Sequence, residues 1–353
     1  MKVNKIILIS LCLLGSVSLS YAQEDEIIQA EILEGDSTLA DKHYNSGIEK
    51  FANGQFKAAI ADFDEALKLK PSFEPAFFNR GMTKYEIQDF TGAVMDFDSS
   101  IALTQNPESY YYRAKVKHEQ GDREGATADY SKTIELNKNH AQSYYYRGCI
   151  KFEDGDYDGA IVDYNEAIRV KPNYAYAFND RGSAKRQLDD LDGAINDYMK
   201  AVNADSKLAF AHNNLGSARR KKGDFKLAIQ DYSKAISLDG KYTIAYNNRG
   251  SARFDAEDYS GAIADFTKAI QLQSDYAFAF NNRAAAKFKL KDYKGCVEDC
   301  TKAIEIDASY AYAYLNRGNA RELMRDEMGA CEDWRRAVEL GAEGAKSHIG
   351  ICQ

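Results

Sequence analysis

The chain has 353 residues, 44% hydrophobic and 28% charged, with a formal net charge of −8. That length suits two or three domains or one long repeat array, and the composition excludes both a disordered chain and a polytopic membrane protein. The acidic balance argues against nucleic acid as a partner, because phosphate binding needs a basic surface or stripe; five histidines and six cysteines are too few for a metal-rich or disulfide-knitted fold.

At the start, Lys2 and Lys5 precede an apolar run from Ile6 to Leu19, and Ser20-Tyr21-Ala22 offers small residues where a signal peptidase reads. This order predicts a signal peptide over residues 1–22, cleaved near Ala22. The apolar run of 14 residues falls short of the ~18–20 needed to span a bilayer. No second long apolar segment follows. The mature chain is therefore expected to be exported, periplasmic or secreted, with no transmembrane span. Residues 23–39 are acidic and contain no lysine or arginine, which reads as a linker with transient helix.

From Ala40 the chain aligns with itself in rows of 34 residues, the second row being one residue short. The nine rows begin at Ala40, Glu74, Pro107, Ala141, Ala175, Ala209, Thr243, Ala277 and Ala311 and run to residue 344. Column 4 is aromatic or His throughout. Column 8 is Gly or Ala, from Gly47 to Gly318, and column 20 is Ala except for Cys296. Column 24 is a ring in every row but one, from Phe63 to Trp334, with Cys300 the exception. Columns 4, 8 and 12 share one face of a first helix, and columns 20, 24, 27 and 28 share one face of a second. Small residues at 8 and 20 let the two axes approach while the ring at 24 fills the space beside them. Asp at column 16, in eight of nine rows, is placed to cap the second helix. Neither helix buries its face alone, so rows must stack and the stack needs a terminal cap.

This pattern resembles the tetratricopeptide repeat, whose period and aromatic, Gly, Ala, aromatic, Pro signature it shares. The resemblance implies an all-α, right-handed superhelical solenoid of nine helix-turn-helix repeats over residues 40–344, with a capping helix over 345–353. Two columns depart from the family. Column 7, usually Leu, is Arg in seven rows, and column 11, usually Tyr, is basic in all nine, from Lys50 to Arg321. Column 23 is Asp in every row. Since columns 7 and 11 lie one helical turn apart, each Asp is expected to pair with a base of its own or an adjoining row, forming a structural ladder. The rival reading is a basic ligand-binding stripe.

No catalytic constellation appears. His43 and His212 fall in the aromatic column 4, while Cys296 and Cys300 occupy core columns with no partner pair to complete a metal site. Glycines come one or two per row in repeat-determined places, not as a phosphate loop. The expectation is a non-enzyme without metal or cofactor. Cys331 and Cys352 are another matter. A second helix from about Met328 to Leu340, a turn at Gly341-Ala342 and an antiparallel return bring these two to similar height. In an oxidising compartment they should form a disulfide.

The resemblance places columns 2, 5, 6, 9 and 12 on or near an inner wall. Rows 1 to 4 carry aromatics at column 5 (Tyr44, Phe78, Tyr111, Tyr145), whereas rows 5 to 8 carry Asn179, Asn213, Asn247 and Asn281. Column 6 adds Asn214, Asn248, Asn282 and Asn316, and column 2 adds Phe210 and Phe278. Asparagine offers a donor and an acceptor side by side, and a ladder of them resembles the Asn-lined groove of some peptide-binding superhelices. The expectation is an exported interaction scaffold whose inner wall holds an extended protein or peptide segment through these residues. Two alternatives are an accessory subunit of an envelope enzyme handling cell wall or glycan, and a thiol-redox protein.

Overall fold

The protein's structure, a computed structural model, describes residues 38–350 and residue 352. The expected signal peptide and nearly all of the acidic linker lie outside these. The chain divides into two compact units, residues 1–188 and 189–353. Among the described residues of the first unit are α1 (Leu39–Ala52), α2 (Phe56–Leu69), α3 (Glu74–Glu86), α4 (Phe90–Leu103), α5 (Pro107–Glu119), α6 (Arg123–Leu136), α7 (Ala141–Glu153), α8 (Tyr157–Val170) and α9 (Ala175–Gln187). The second unit holds α10 (Leu191–Ala204), α11 (Ala209–Lys222), α12 (Phe225–Leu238), α13 (Thr243–Asp255), α14 (Tyr259–Leu272), α15 (Ala277–Lys289), α16 (Tyr293–Ile306), α17 (Ala311–Leu323), α18 (Glu327–Glu339), a 3-10 turn at Glu343–Ala345 and the short α19 (Lys346–Ile349). Every row but the fifth, whose two helices fall in different units, is one hairpin, and within each unit successive hairpins stack in chain order. No strand occurs among the described residues.

The hairpin interior follows the columns. Phe63, Phe97, Tyr164, Tyr232 and Phe266 are at most 1% exposed; a buried ring of this size contributes roughly 2–3 kcal/mol. A Cβ on Gly47 would stand 2.6 Å from the Phe63 ring, and one on Gly250 would stand 2.7 Å from Phe266, so column 8 is small because column 24 is large. Row 8 reverses the exchange: Ala284 stands where most rows have Gly, and the smaller Cys300 replaces the ring.

Seven column-16 aspartates cap their helices, as Asp258 does by accepting from the Gly261 backbone N–H at 2.9 Å. Here the cap depends on glycine three residues on, since a Cβ on Gly261 would lie 2.1 Å from the Asp258 carboxylate. Asp224 is the exception to the expected caps: Leu227 occupies the glycine position and Asp224 makes no side-chain cap bond. α1 begins instead with a capping box between Thr38 and Asp41.

In the rows that lie within one unit, column 23 pairs within its own row. The Arg249 fork meets Asp265 through Nε at 3.0 Å and a terminal nitrogen at 2.7 Å, and Arg253 adds a third bond at 2.8 Å. Arg80, Arg113, Arg147, Arg283 and Arg317 make the same fork with Asp96, Asp129, Asp163, Asp299 and Asp333. The remaining Arg nitrogen crosses to the preceding row, as from Arg249 to Ser233 at 3.0 Å and from Arg80 to Asp64 at 2.6 Å. Each arginine also lies over the aromatic three residues before it, Arg249 at 5.6 Å from the Tyr246 ring centre. This is a load shared between hairpins and not a free basic stripe. Row 6 has Leu215 in the column, leaving Asp231 with Arg219 alone, and burial raises the Asp231 carboxyl above its usual value.

The last hairpin agrees with expectation to within a residue, α18 starting one residue earlier than anticipated. The capping helix over 345–353 is shorter than expected, because the return is a 3-10 turn followed by a single α-turn. Cys331 and Cys352 are joined in a disulfide with a Cα–Cα distance of 5.5 Å.

Candidate protein-binding face

In the second unit the first helices α11, α13, α15 and α17 stand side by side, which lines up their columns 2, 5 and 6. Column 6 of one row meets column 5 of the row before, 35 residues back. Asn248 Nδ2 donates to Asn213 Oδ1 at 3.0 Å, Asn282 to Asn247 at 3.1 Å, and Asn316 to Asn281 at 2.9 Å. Asn281 in turn donates to the Tyr310 hydroxyl at 3.2 Å. The column-5 asparagines are buried behind these bonds, with Asn247 at 1% exposure. Asn214, Asn282 and Asn316 are half-buried and lie nearer the surface. Asn248 is an exception, 1% exposed, with its Oδ1 meeting no donor.

In the first unit the same two columns meet through other chemistry. Asn79 Nδ2 donates to the Tyr44 hydroxyl at 3.1 Å, and Phe78 packs edge-on against Tyr112 at 5.8 Å. Tyr111 meets Tyr146 at 6.2 Å, and the Tyr145 hydroxyl donates to Asp180 at 2.7 Å. Asn179 belongs to this unit, where it is buried and donates to its neighbour Asp180 at 2.8 Å. Burial pushes the Asp180 carboxyl up to about 6, against the opposing pull of the Tyr145 and Asn179 bonds.

What the second unit offers outward on this face is column 2. Phe278 is 47% exposed and Ile244 is 37% exposed; Phe210 and Tyr312 are half-buried. Phe278 is braced from behind by Tyr310 at 5.0 Å and Tyr276 at 6.2 Å, so it is a firm apolar contact. Sequence reasoning missed Ile244, Tyr276 and Tyr310. The signal was available, because Ile244 shares column 2 with Phe210 and Phe278, and both tyrosines fall in column 34.

The free thiols of the described residues are set inside the hairpins. Cys149, Cys296 and Cys300 are free and buried, and hydrogen bonding with Cys296 together with burial pushes the Cys300 thiol well up, whereas a redox thiol needs the reverse. Among the described residues no group of three or more His, Cys, Asp or Glu is placed to hold a metal. Nor is any described helix long and apolar enough to cross a membrane.

Comparison with known proteins bears on this arrangement. Tetratricopeptide repeat family models match residues 40–73, 175–208, 244–276 and 279–310, residues 209–242, and, as a TPR repeat, residues 148–188. No curated protein sequence matches. Among solved structures, a tetratricopeptide repeat protein from Parabacteroides merdae is similar, with 18% identity and a TM-score of 0.55 over 70% of this chain and 98% of that one. So is the C-terminal part of a TPR repeat-containing protein from Cytophaga hutchinsonii, with 21% identity and a TM-score of 0.55 over 68% and 99%. The Cut9–Hcn1 hetero-tetramer of the APC/C gives 14% identity and a TM-score of 0.55 over 88% and 76%. At these identities the likeness concerns fold alone. With more than half its length matched by the repeat models and every hairpin built on the same columns, the chain belongs to the tetratricopeptide repeat family, whose repeats make protein–protein interaction scaffolds.

Proposed function

We propose that the protein is an exported, non-catalytic scaffold that holds an extended segment of a partner along the first-helix face of the second unit. The observation that carries this reading is the line of column-2 side chains, Phe210, Ile244, Phe278 and Tyr312, running beside the half-buried amides of Asn214, Asn282 and Asn316. Alternate side chains of an extended segment point to one side, so apolar residues of the partner would sit on the rings while its backbone meets the amides. Asn247 and Asn281 would act from behind by fixing the outer amides of Asn282 and Asn316, while Asn213 holds the buried Asn248. Asn179, in the first unit, is buried and donates to Asp180.

The test is selection from a displayed library of random peptides, repeated with an Ile244→Ala/Phe278→Ala variant. Both side chains are exposed, so folding should be unaffected. Selected peptides should carry apolar residues at alternate positions and lose most of their binding to the variant. Undiminished binding to the folded variant moves the site off this face. Export is tested separately by intact mass of the protein from its own host. A chain beginning near Gln23 supports cleavage, and retention of residues 1–22 refutes it.

A further inference from the structure

The segment after α18 is attached unusually lightly. The helix α19 has four residues and none of them is buried, and a single turn cannot hold its shape alone. Upstream, Ala342 and Ala345 are buried against Ala311, Ala337 and Leu315, which anchors the turn itself. Among the described residues beyond Ala345, the side-chain attachments to α18 are the His348 ring stacked on Trp334 at 4.6 Å, a bond from Arg335 to the Cys352 carbonyl at 3.5 Å, and the Cys331–Cys352 disulfide. Under this strap lies Trp334, 1% exposed, its indole N–H donating to Asn319 at 2.9 Å.

We propose that the disulfide is a redox latch: a dithiol reductant releases residues 346–352 and uncovers the Trp334 side of the last hairpin, while the rest of the array stays folded. In the opening step one thiolate of the dithiol attacks a latch sulfur and displaces the other as thiolate. Its second thiol then resolves the mixed disulfide. The dithiol leaves as a disulfide, and Cys331 and Cys352 take up two electrons and two protons as thiols. The bond joins residues 21 apart in sequence, but α18 and the turn stay folded, so only the short strap gains freedom, which corresponds to about fiftyfold in the closing equilibrium. Among the described residues the other cysteines, Cys149, Cys296 and Cys300, are already free thiols with nothing to reduce, and their burial shields them from the alkylating label. The reading does not depend on the proposed partner groove.

Trp334 is the single tryptophan of the chain, so its emission reports on the strap without interference. The full chain is treated with dithiothreitol, alkylated while folded, mapped by mass spectrometry, and followed by tryptophan emission, amide exchange and far-ultraviolet circular dichroism. The latch requires label at Cys331 and Cys352 only after reduction, a red-shifted Trp334 emission, and faster exchange over 346–350 by up to about fiftyfold, with helical signal retained. A Cys352→Ser variant should show the same open state without reductant. The proposal falls if emission and exchange stay put once both thiols are labelled. It also falls if both cysteines label without reductant, or if reduction melts the whole array.

Discussion

The charge ladder makes a quantitative claim at Asp265. This carboxylate is 3% exposed and accepts three hydrogen bonds, two from Arg249 and one from Arg253. Replacing it by Ala leaves two guanidinium groups facing a desolvated wall. Breaking a buried pair from one side costs about 3–5 kcal/mol. The arginine side chains keep 16% and 26% exposure, so Asp265→Ala belongs at the lower end, about 3 kcal/mol. Arg249→Leu should cost less, about 1–2 kcal/mol, because Asp265 keeps a charged partner and leucine suits the place. Row 6 already uses that arrangement, with Leu215 3% exposed and Asp231 held by Arg219. The double variant should then lose only about 2 kcal/mol, since no stranded Arg249 charge remains, giving a coupling of about 2 kcal/mol. Because arrays of this kind open locally, the assay is amide exchange of α13 and α14 across a urea series, alongside the global urea midpoint. Losses that add, with the double variant near 4–5 kcal/mol, would refute the ladder.

Further outcomes follow from single sites. Asp180→Asn should remove a pH dependence: a carboxyl raised to about 6 in the fold, from ~3.9 unfolded, stabilises fully below about pH 4 and loses that contribution as pH rises through 6. The variant, whose amide can bond Tyr145 as Asn79 bonds Tyr44, should therefore be more stable than the parent at pH 7 and no more stable at pH 4, measured by urea midpoints. At the hairpin turns, Lys291 sits at φ 65° and Arg325 at φ 68°, where other rows place Gly121 or Gly155 at 82°. Lys291→Gly should stabilise by about 0.5–1 kcal/mol, and Gly155→Lys should cost about as much, both readable as shifts in melting temperature. Asp258→Ala should cost about 1 kcal/mol through loss of the helix cap, whereas Asp224→Ala should cost little, having no cap bond to lose. Equal losses at the two positions would show that the cap geometry is not the cause.

Sequence periodicity determined nearly all of the local fold. Small, ring and cap residues recur at fixed columns because each hairpin repeats the same steric problem, and a self-comparison exposes that directly. Even the Cys331–Cys352 pairing follows from helix length and a turn, since both ends lie within one hairpin and its return. The tertiary structure decided what one column does to the next row. Asn213, Asn247 and Asn281 look like ligand-facing amides in the sequence, yet they are buried and bonded to Asn248, Asn282 and Asn316. The offset from column 5 to column 6 depends on how far adjacent helices slide and rotate against one another, which the repeat length alone does not specify. The same offset joins Tyr145 to Asp180, a pairing with no repeat-wide signature. Whether an amide meets solvent or its neighbour is set by interhelical packing, and so the outward surface passed to column 2, where Ile244 and Phe278 stay exposed although a row follows each.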